Sequence, residues 1–311
     1  MDVFVLDVHH DEGRLPRVEG QQDSRSSVSG GSAPFYICPR LFRSRGSLIV
    51  RKLGKKVQLV TQNDHAELSA QMAANWGSGK FGALEPYNEM VLATLLHDYG
   101  WHMWDSTPEI DQRTRQPINF NELDYRRHTG FYAEGVARVS DLNTYAGLID
   151  VMHAIGLYTQ RYGLYPNMPN PGAQLPVQEF LTKHRGMREE MIRKLKTARK
   201  LSRYAEEDFV WHNYKCLQIF DVLSLYLCWI MTPTMKVSPV PTTPGSEDAE
   251  LTIKKVGAER VKISPYPFRV DPLRVVVPAR TLRSFTFEGN EEFRAKFYEA
   301  ERKSLDFELM A

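Results

Sequence analysis

Met90-Val91-Leu92-Ala93-Thr94-Leu95-Leu96-His97-Asp98 decides how the chain is read. The stretch up to Leu96 is apolar on every face of a helix apart from the hydroxyl of Thr94, which predicts a buried central helix. It ends on an imidazole beside a carboxylate, and such groups do not stay buried without partners. Working outward, the same residue types recur as His65, His128, His153 and Asp221. A metal held by imidazole and carboxylate needs several such groups converging from separate elements. The series therefore suggests a dinuclear metal site. Asp221 stands between Phe220 and Val222, with Leu217, Leu225 and Cys228 on neighbouring turns. A carboxylate in that company is costly unless a cation compensates it.

Around this core the pattern is mainly helical. Leu48-Ile49-Val50 and Val57-Gln58-Leu59-Val60 flank Gly54-Lys55-Lys56, the signature of a short hairpin. Asn63 or Asp64 can cap the helix that follows, which puts His65 in its first turn. His128 is expected to begin a helix reaching Val139. His153 falls in a helix of about 143–161, a further helix covers 187–204, and Asp221 lies in the last core helix, 208–229. Gly100 to Pro117 reads as a loop, and Gly77-Ser78-Gly79-Lys80 as a helix-ending loop: no strand precedes it, and Phe81 replaces the hydroxyl a phosphate loop needs. The expected organisation is a flexible extension at 1–46, a helical core at 47–235, a linker at 236–250, and a small β-rich element at 251–311 packed on the core.

Composition narrows the classes. The chain has 311 residues, 42% hydrophobic and 25% charged, enough for a soluble globular protein. A net charge of +2 does not describe a polyanion-binding protein, and the basic stripe Arg185, Arg188, Arg193, Lys196, Arg199, Lys200 and Arg203 reads as a solvated helix face, so nucleic acid is not expected as a partner. Cys38, Cys216 and Cys228 lack CxxC spacing and fit a reducing compartment. The N-terminus does not read as a secretory signal, and no apolar run reaches membrane-spanning length, so the expectation is a cytoplasmic protein without a membrane partner. His9-His10 falls in the extension and is left out of the site.

The order His65, His97-Asp98, His128, His153, Asp221 resembles the HD-domain superfamily of helical metalloproteins. Within it, Gln62-Asn63-Asp64-His65-Ala66, His97-Asp98-Tyr99-Gly100-Trp101 and Tyr266-Pro267-Phe268 look closest to an uncharacterised bacterial-type family. The resemblance implies a mainly α, HD-type helical bundle with a short N-terminal β-hairpin and a small C-terminal β element. It also implies that Asp98 bridges two metals, with His65, His97 and Asp221 completing one ion's shell and His128 and His153 holding the other. Iron is the favoured metal, with Mn, Mg, Zn or Ni also suited.

Two activities follow from that resemblance. One is a metal-dependent hydrolase that cleaves a phosphoester or phosphoanhydride through a hydroxide bound at the dinuclear site. The other is a mixed-valent diiron oxygenase of a small organic substrate. A third reading is a non-catalytic ligand-binding or interaction module. Many superfamily members place Lys or His three residues after the Asp of the pair, where this chain has Trp101. Trp101 is then a stacking or walling residue for a small, anionic substrate, with His102 replacing the missing cation as a catalytic group beside Asp98. Arg126 and Arg127, just before His128, are the first candidates for anion contact, ahead of Arg113 and Arg115.

Overall fold

The computed structural model describes residues 48–311; the extension expected at 1–46, with His9, His10 and Cys38, lies outside them. Strands β1 (Ile49–Leu53) and β2 (Lys56–Val60) form the hairpin, with Ile49 opposite Val60 and Gly54 turning it at φ 64°. Helix α1 (Gln62–Ala74) follows directly. Its cap is Thr61, not Asn63 or Asp64: the Thr61 hydroxyl accepts from the Asp64 N–H at 3.0 Å. The earlier start has a tertiary cause, because the Asp105 carboxylate takes the free N–H groups of Gln62 and Asn63 at 3.3 and 3.1 Å.

The helical layer continues with α2 (Tyr87–Leu96), the short α3 (His102–Asp105), α4 (Tyr125–Leu142), α5 (Thr144–Leu157), α6 (Leu175–Lys196) and α7 (Glu207–Leu225). The all-apolar run of α2 is not the central helix: Met90, Ala93 and Thr94 are buried, while Leu95 is exposed. That place belongs to α5, buried without interruption from Tyr145 to Gly156. Helix α4 starts at Tyr125, capped by Asp124, so His128 lies in its first turn and does not begin it. Helix α6 starts at Leu175, with Pro176 in the first turn where its missing N–H costs nothing. The loop expected from Gly100 to Pro117 carries a single 3₁₀ turn, Tyr99–Trp101, and then α3.

The expectation of a mainly α bundle with small β elements is overturned. Of the described residues 47% are helical, and they carry a curled, mixed sheet of seven strands. Besides the hairpin these are β3 (Thr234–Val240), β4 (Ala249–Lys255), β5 (Arg260–Ser264), β6 (Leu273–Leu282) and β7 (Arg302–Met310), with α8 (Asn290–Glu299) before the last. The stretch read as a linker thus holds strand as far as Val240. The order β1-β2-β6-β7-β5-β4-β3 gives the physical reason. Helix α8 is followed by a strand that starts on Arg302 and Lys303 and carries Asp306 and Glu308 farther along, and this segment lies mid-sheet, antiparallel to β6 and parallel to β5. Since β2 also pairs β6, with Val57 opposite Leu282, the hairpin and the C-terminal strands are one sheet.

The sheet supports α1, and α1 carries His65. Gln71 of α1 imitates a strand: its amide donates to the Val276 carbonyl at 2.8 Å and its carbonyl oxygen accepts the Val276 N–H at 2.9 Å. At the end of α1, Trp76 is buried among Phe81, Phe220 and Phe268, and the Pro267 carbonyl accepts the N–H groups of Gly77 and Ser78. Tyr266-Pro267-Phe268 therefore fastens the helical layer to the sheet. Among the described residues, no helix is long and apolar enough to cross a membrane.

Candidate metal centre

Four of the six expected ligands converge at one point. His65 comes from the first turn of α1, His97 and Asp98 from the end of α2, and Asp221 from the last turns of α7. His65 Nε2 lies 3.3 Å from His97 Nε2 and 3.4 Å from both Asp98 Oδ2 and Asp221 Oδ1. His97 Nε2 lies 3.6 Å from Asp98 Oδ2 and 4.0 Å from Asp221 Oδ1. An ion about 2.1 Å from tetrahedral ligands sets those ligands roughly 3.4 Å apart, so His65, His97 and Asp221, whose ligand atoms form one close group, suit one ion.

Hydrogen bonds around the rings fix what the four atoms offer. The Thr94 carbonyl, 2.8 Å from His97 Nδ1, can only accept, so that nitrogen carries the proton and Nε2 presents a lone pair. The Ser224 hydroxyl lies 2.8 Å from the Asp221 carbonyl and 2.5 Å from His65 Nδ1, which orients the His65 ring with Nε2 toward the cluster. Two imidazole nitrogens and two carboxylate oxygens thus face one another, and in the metal-free protein any proton on those nitrogens falls between them. A single proton serves one such pair; a multivalent cation serves all four. Backbone and hydroxyl partners on the far nitrogens are also what orients ligating histidines.

Each carboxylate gives its other oxygen to a fixed donor. Tyr132, one turn beyond His128 on α4, donates to Asp98 Oδ1 at 2.7 Å. Arg161 donates to Asp221 Oδ2 at 3.0 Å and approaches His153 Nδ1 at 3.1 Å. Burial alone would raise the Asp98 carboxyl, but His97 and a hydrogen bond from His65 hold it well below the usual carboxylate range. Burial, reinforced by Asp98, pushes the Tyr132 phenol far up, so it remains a donor. The Arg161 guanidinium is disfavoured by burial and restored by Asp221, so it stays charged.

His153 is buried on α5 and joins a second close group with His97 and Asp98. Burial and the Arg161 charge hold it well below the usual imidazole value, so the ring is neutral. His128 is in neither close group. Its Nδ1 is 2.6 Å from the Tyr158 hydroxyl, its ring packs on Trp101 and Tyr132, and burial brings its pKa down to about 4.

The expected substrate-binding residues are placed as follows. Trp101 is buried against His128, Phe131 and Tyr132. His102 stacks on Tyr99, bonds its carbonyl at 3.1 Å, and is in neither ligand group. Arg127 is engaged with Asp124 and with the face of Trp104, and Arg126 is exposed. The buried His184 and His212 lie outside the series; His184 bonds the Phe180 carbonyl within its own helix.

Sequence reading missed Arg161, Tyr132, Ser224 and Asp150. Tyr132 follows His128 by four residues on one helix face, a signal that was present. Asp150 is fully buried on α5, and neither of its oxygens has a hydrogen-bond partner.

The family model described as "Protein of unknown function (DUF3891)" matches residues 48–284. The chain belongs to the DUF3891 family. That match runs from the hairpin through β6, so it includes all four converging ligands as well as Tyr132, Arg161 and His153. No curated protein sequence and no solved structure matches the chain.

Proposed function

We propose that this protein is a metal-dependent hydrolase acting on a phosphoester or phosphoanhydride, related to the HD superfamily through its ligand series. The observation that carries this reading is a buried cluster of imidazoles and carboxylates in two overlapping groups, His65, His97 and Asp221 and His97, Asp98 and His153, each with its ligand atoms within 4.8 Å of one another. No thiolate takes part, and a closed structural ion would more often recruit one. A divalent ion held there lowers the pKa of water and polarises a phosphoryl oxygen.

The chain's own residues supply the rest. Tyr132 and Arg161 hold the two carboxylates by their outer oxygens, so their inner oxygens stay aimed at the ion. The fixed positive charge of Arg161 offsets the paired carboxylates and favours an anionic substrate nearby.

The second close group, His97, Asp98 and His153, favours the alternative of a diiron oxygenase, which needs a second ion. The test is to reconstitute metal-free protein with Mn²⁺ or Fe²⁺ and measure release of p-nitrophenol from bis(p-nitrophenyl) phosphate alongside O₂ uptake with small organic substrates. Metal-dependent phosphodiester cleavage that vanishes in His97→Ala supports the hydrolase. O₂ consumption with a mixed-valent iron signal and no hydrolysis replaces it with the oxygenase.

A further inference from the structure

The geometry points to Arg161 as a built-in cation that takes the place of a second metal ion and keeps this centre mononuclear. The inference rests on the metal reading above and concerns what sits beside the first ion.

A second ion would need three things, and Arg161 with its neighbours occupies each. It would need the outer oxygen of a carboxylate, but Asp221 Oδ2 accepts from Arg161 and Asp98 Oδ1 accepts from Tyr132. It would need His153 as a bare imidazole facing the ion. A guanidinium only donates, so at 3.1 Å, together with the Gln218 amide nitrogen 3.0 Å from the same atom, it makes His153 Nδ1 the acceptor and leaves the proton of the neutral ring on Nε2, the ring's other nitrogen. A nitrogen that carries hydrogen is not a ligand. Finally, it would need tolerance for more positive charge, and Arg161 is itself 6% exposed and ionised against Asp221.

The backbone shows that this placement is enforced. Gln160, Arg161 and Tyr162 have φ of 53°, 55° and 59°, and Gly163 follows at 83°. Three successive side-chain-bearing residues in the left-handed region cost of order 1 kcal/mol or more each. The run is fastened from both sides: the Arg161 N–H donates to the Gly156 carbonyl at 2.7 Å, and the Gln160 amide reaches the Pro166 and Met168 carbonyls at 2.6 and 2.9 Å. This left-handed turn carries the chain off the end of α5 and delivers the guanidinium between His153 and Asp221.

The test is metal stoichiometry by equilibrium dialysis of tag-free, chelator-treated protein against Mn²⁺ alone, with electron paramagnetic resonance of the loaded samples. Wild type is expected to hold one ion with an isolated-ion spectrum. Arg161→Met frees Asp221 Oδ2 and, combined with Gln218→Leu, also frees His153 Nδ1, so the double variant is expected to hold two with an exchange-coupled spectrum. Arg161→Lys keeps the cation and is expected to stay at one. Two ions in wild type overturn the proposal whatever the variants do, as does a folded double variant Arg161→Met, Gln218→Leu that stays at one. Wild type that binds no ion overturns the metal reading itself, and this proposal with it.

Discussion

Arg161 and Asp221 form an ion pair at 3.0 Å with neither side chain more than 7% exposed. Removing one partner from such a pair leaves a buried charge uncompensated, at a cost of about 3–5 kcal/mol. Asp221→Ala is therefore expected to lower the denaturant-unfolding free energy of the metal-free protein by that amount, and Arg161→Met in the same chain to restore part of it. Additive losses in the double variant would show that the two groups do not depend on each other.

Ser224 touches no expected substrate, yet its hydroxyl lies 2.5 Å from His65 Nδ1. Ser224→Ala removes that partner and is expected to weaken metal binding roughly 10–100-fold with little change in circular dichroism. Unchanged affinity in a calorimetric titration would mean that His65 is oriented by packing alone.

His128 is in neither close group of ligand atoms. His97→Ala and Asp98→Ala are each expected to lose bound metal, whereas His128→Ala retains it. Elemental analysis of the three proteins decides this, and loss in all three would return His128 to the ligand shell.

Asp150 titrates in the opposite sense to Asp98. Burial, together with the Asp98 charge, pushes its carboxyl well above the ordinary 3.8. The folded state then holds a proton that the unfolded chain has lost, so this group's contribution to stability is greatest below pH ~4 and declines as pH rises toward the folded value. Asp150→Asn is expected to flatten the fall of the thermal midpoint between about pH 4 and 8. Parallel midpoint curves for wild type and variant would show that Asp150 has a partner in solution.

What the sequence revealed and what it hid follow from the range of the forces involved. His65, His97, Asp98 and Asp221 were legible because charged and imidazole groups inside apolar runs need a reason to be there, and that reason is local in the sequence. Arg161 was not legible, since it sits in a punctuated stretch after α5 where no periodic pattern marks a buried face, and its position depends on a left-handed turn. The hairpin was found from its turn residues. Its membership in a seven-stranded sheet was hidden, because β7 is central by topology while its Arg302 and Lys303 read as surface. Likewise α2 looked like the core helix from hydropathy alone, but burial was decided by which neighbours surround it, and α5 took that place.

The close crossing that sets Asp98 against α4 also depends on tertiary packing. A Cβ on Gly100 would collide with the Phe131 carbonyl. Gly100→Ala is expected to cost about 1–3 kcal/mol through overpacking and to weaken metal binding by displacing Asp98 from Tyr132. A stable variant with unchanged affinity would show that this crossing does not position the ligand.

The most direct test of the account is a crystal structure of the protein soaked with Mn²⁺, read by anomalous difference density. The account predicts one peak bonded to His65 Nε2, His97 Nε2, Asp98 Oδ2 and Asp221 Oδ1, with Arg161 still paired to Asp221. A peak held by His128 and His153 away from those four atoms, or no peak near them, would contradict it.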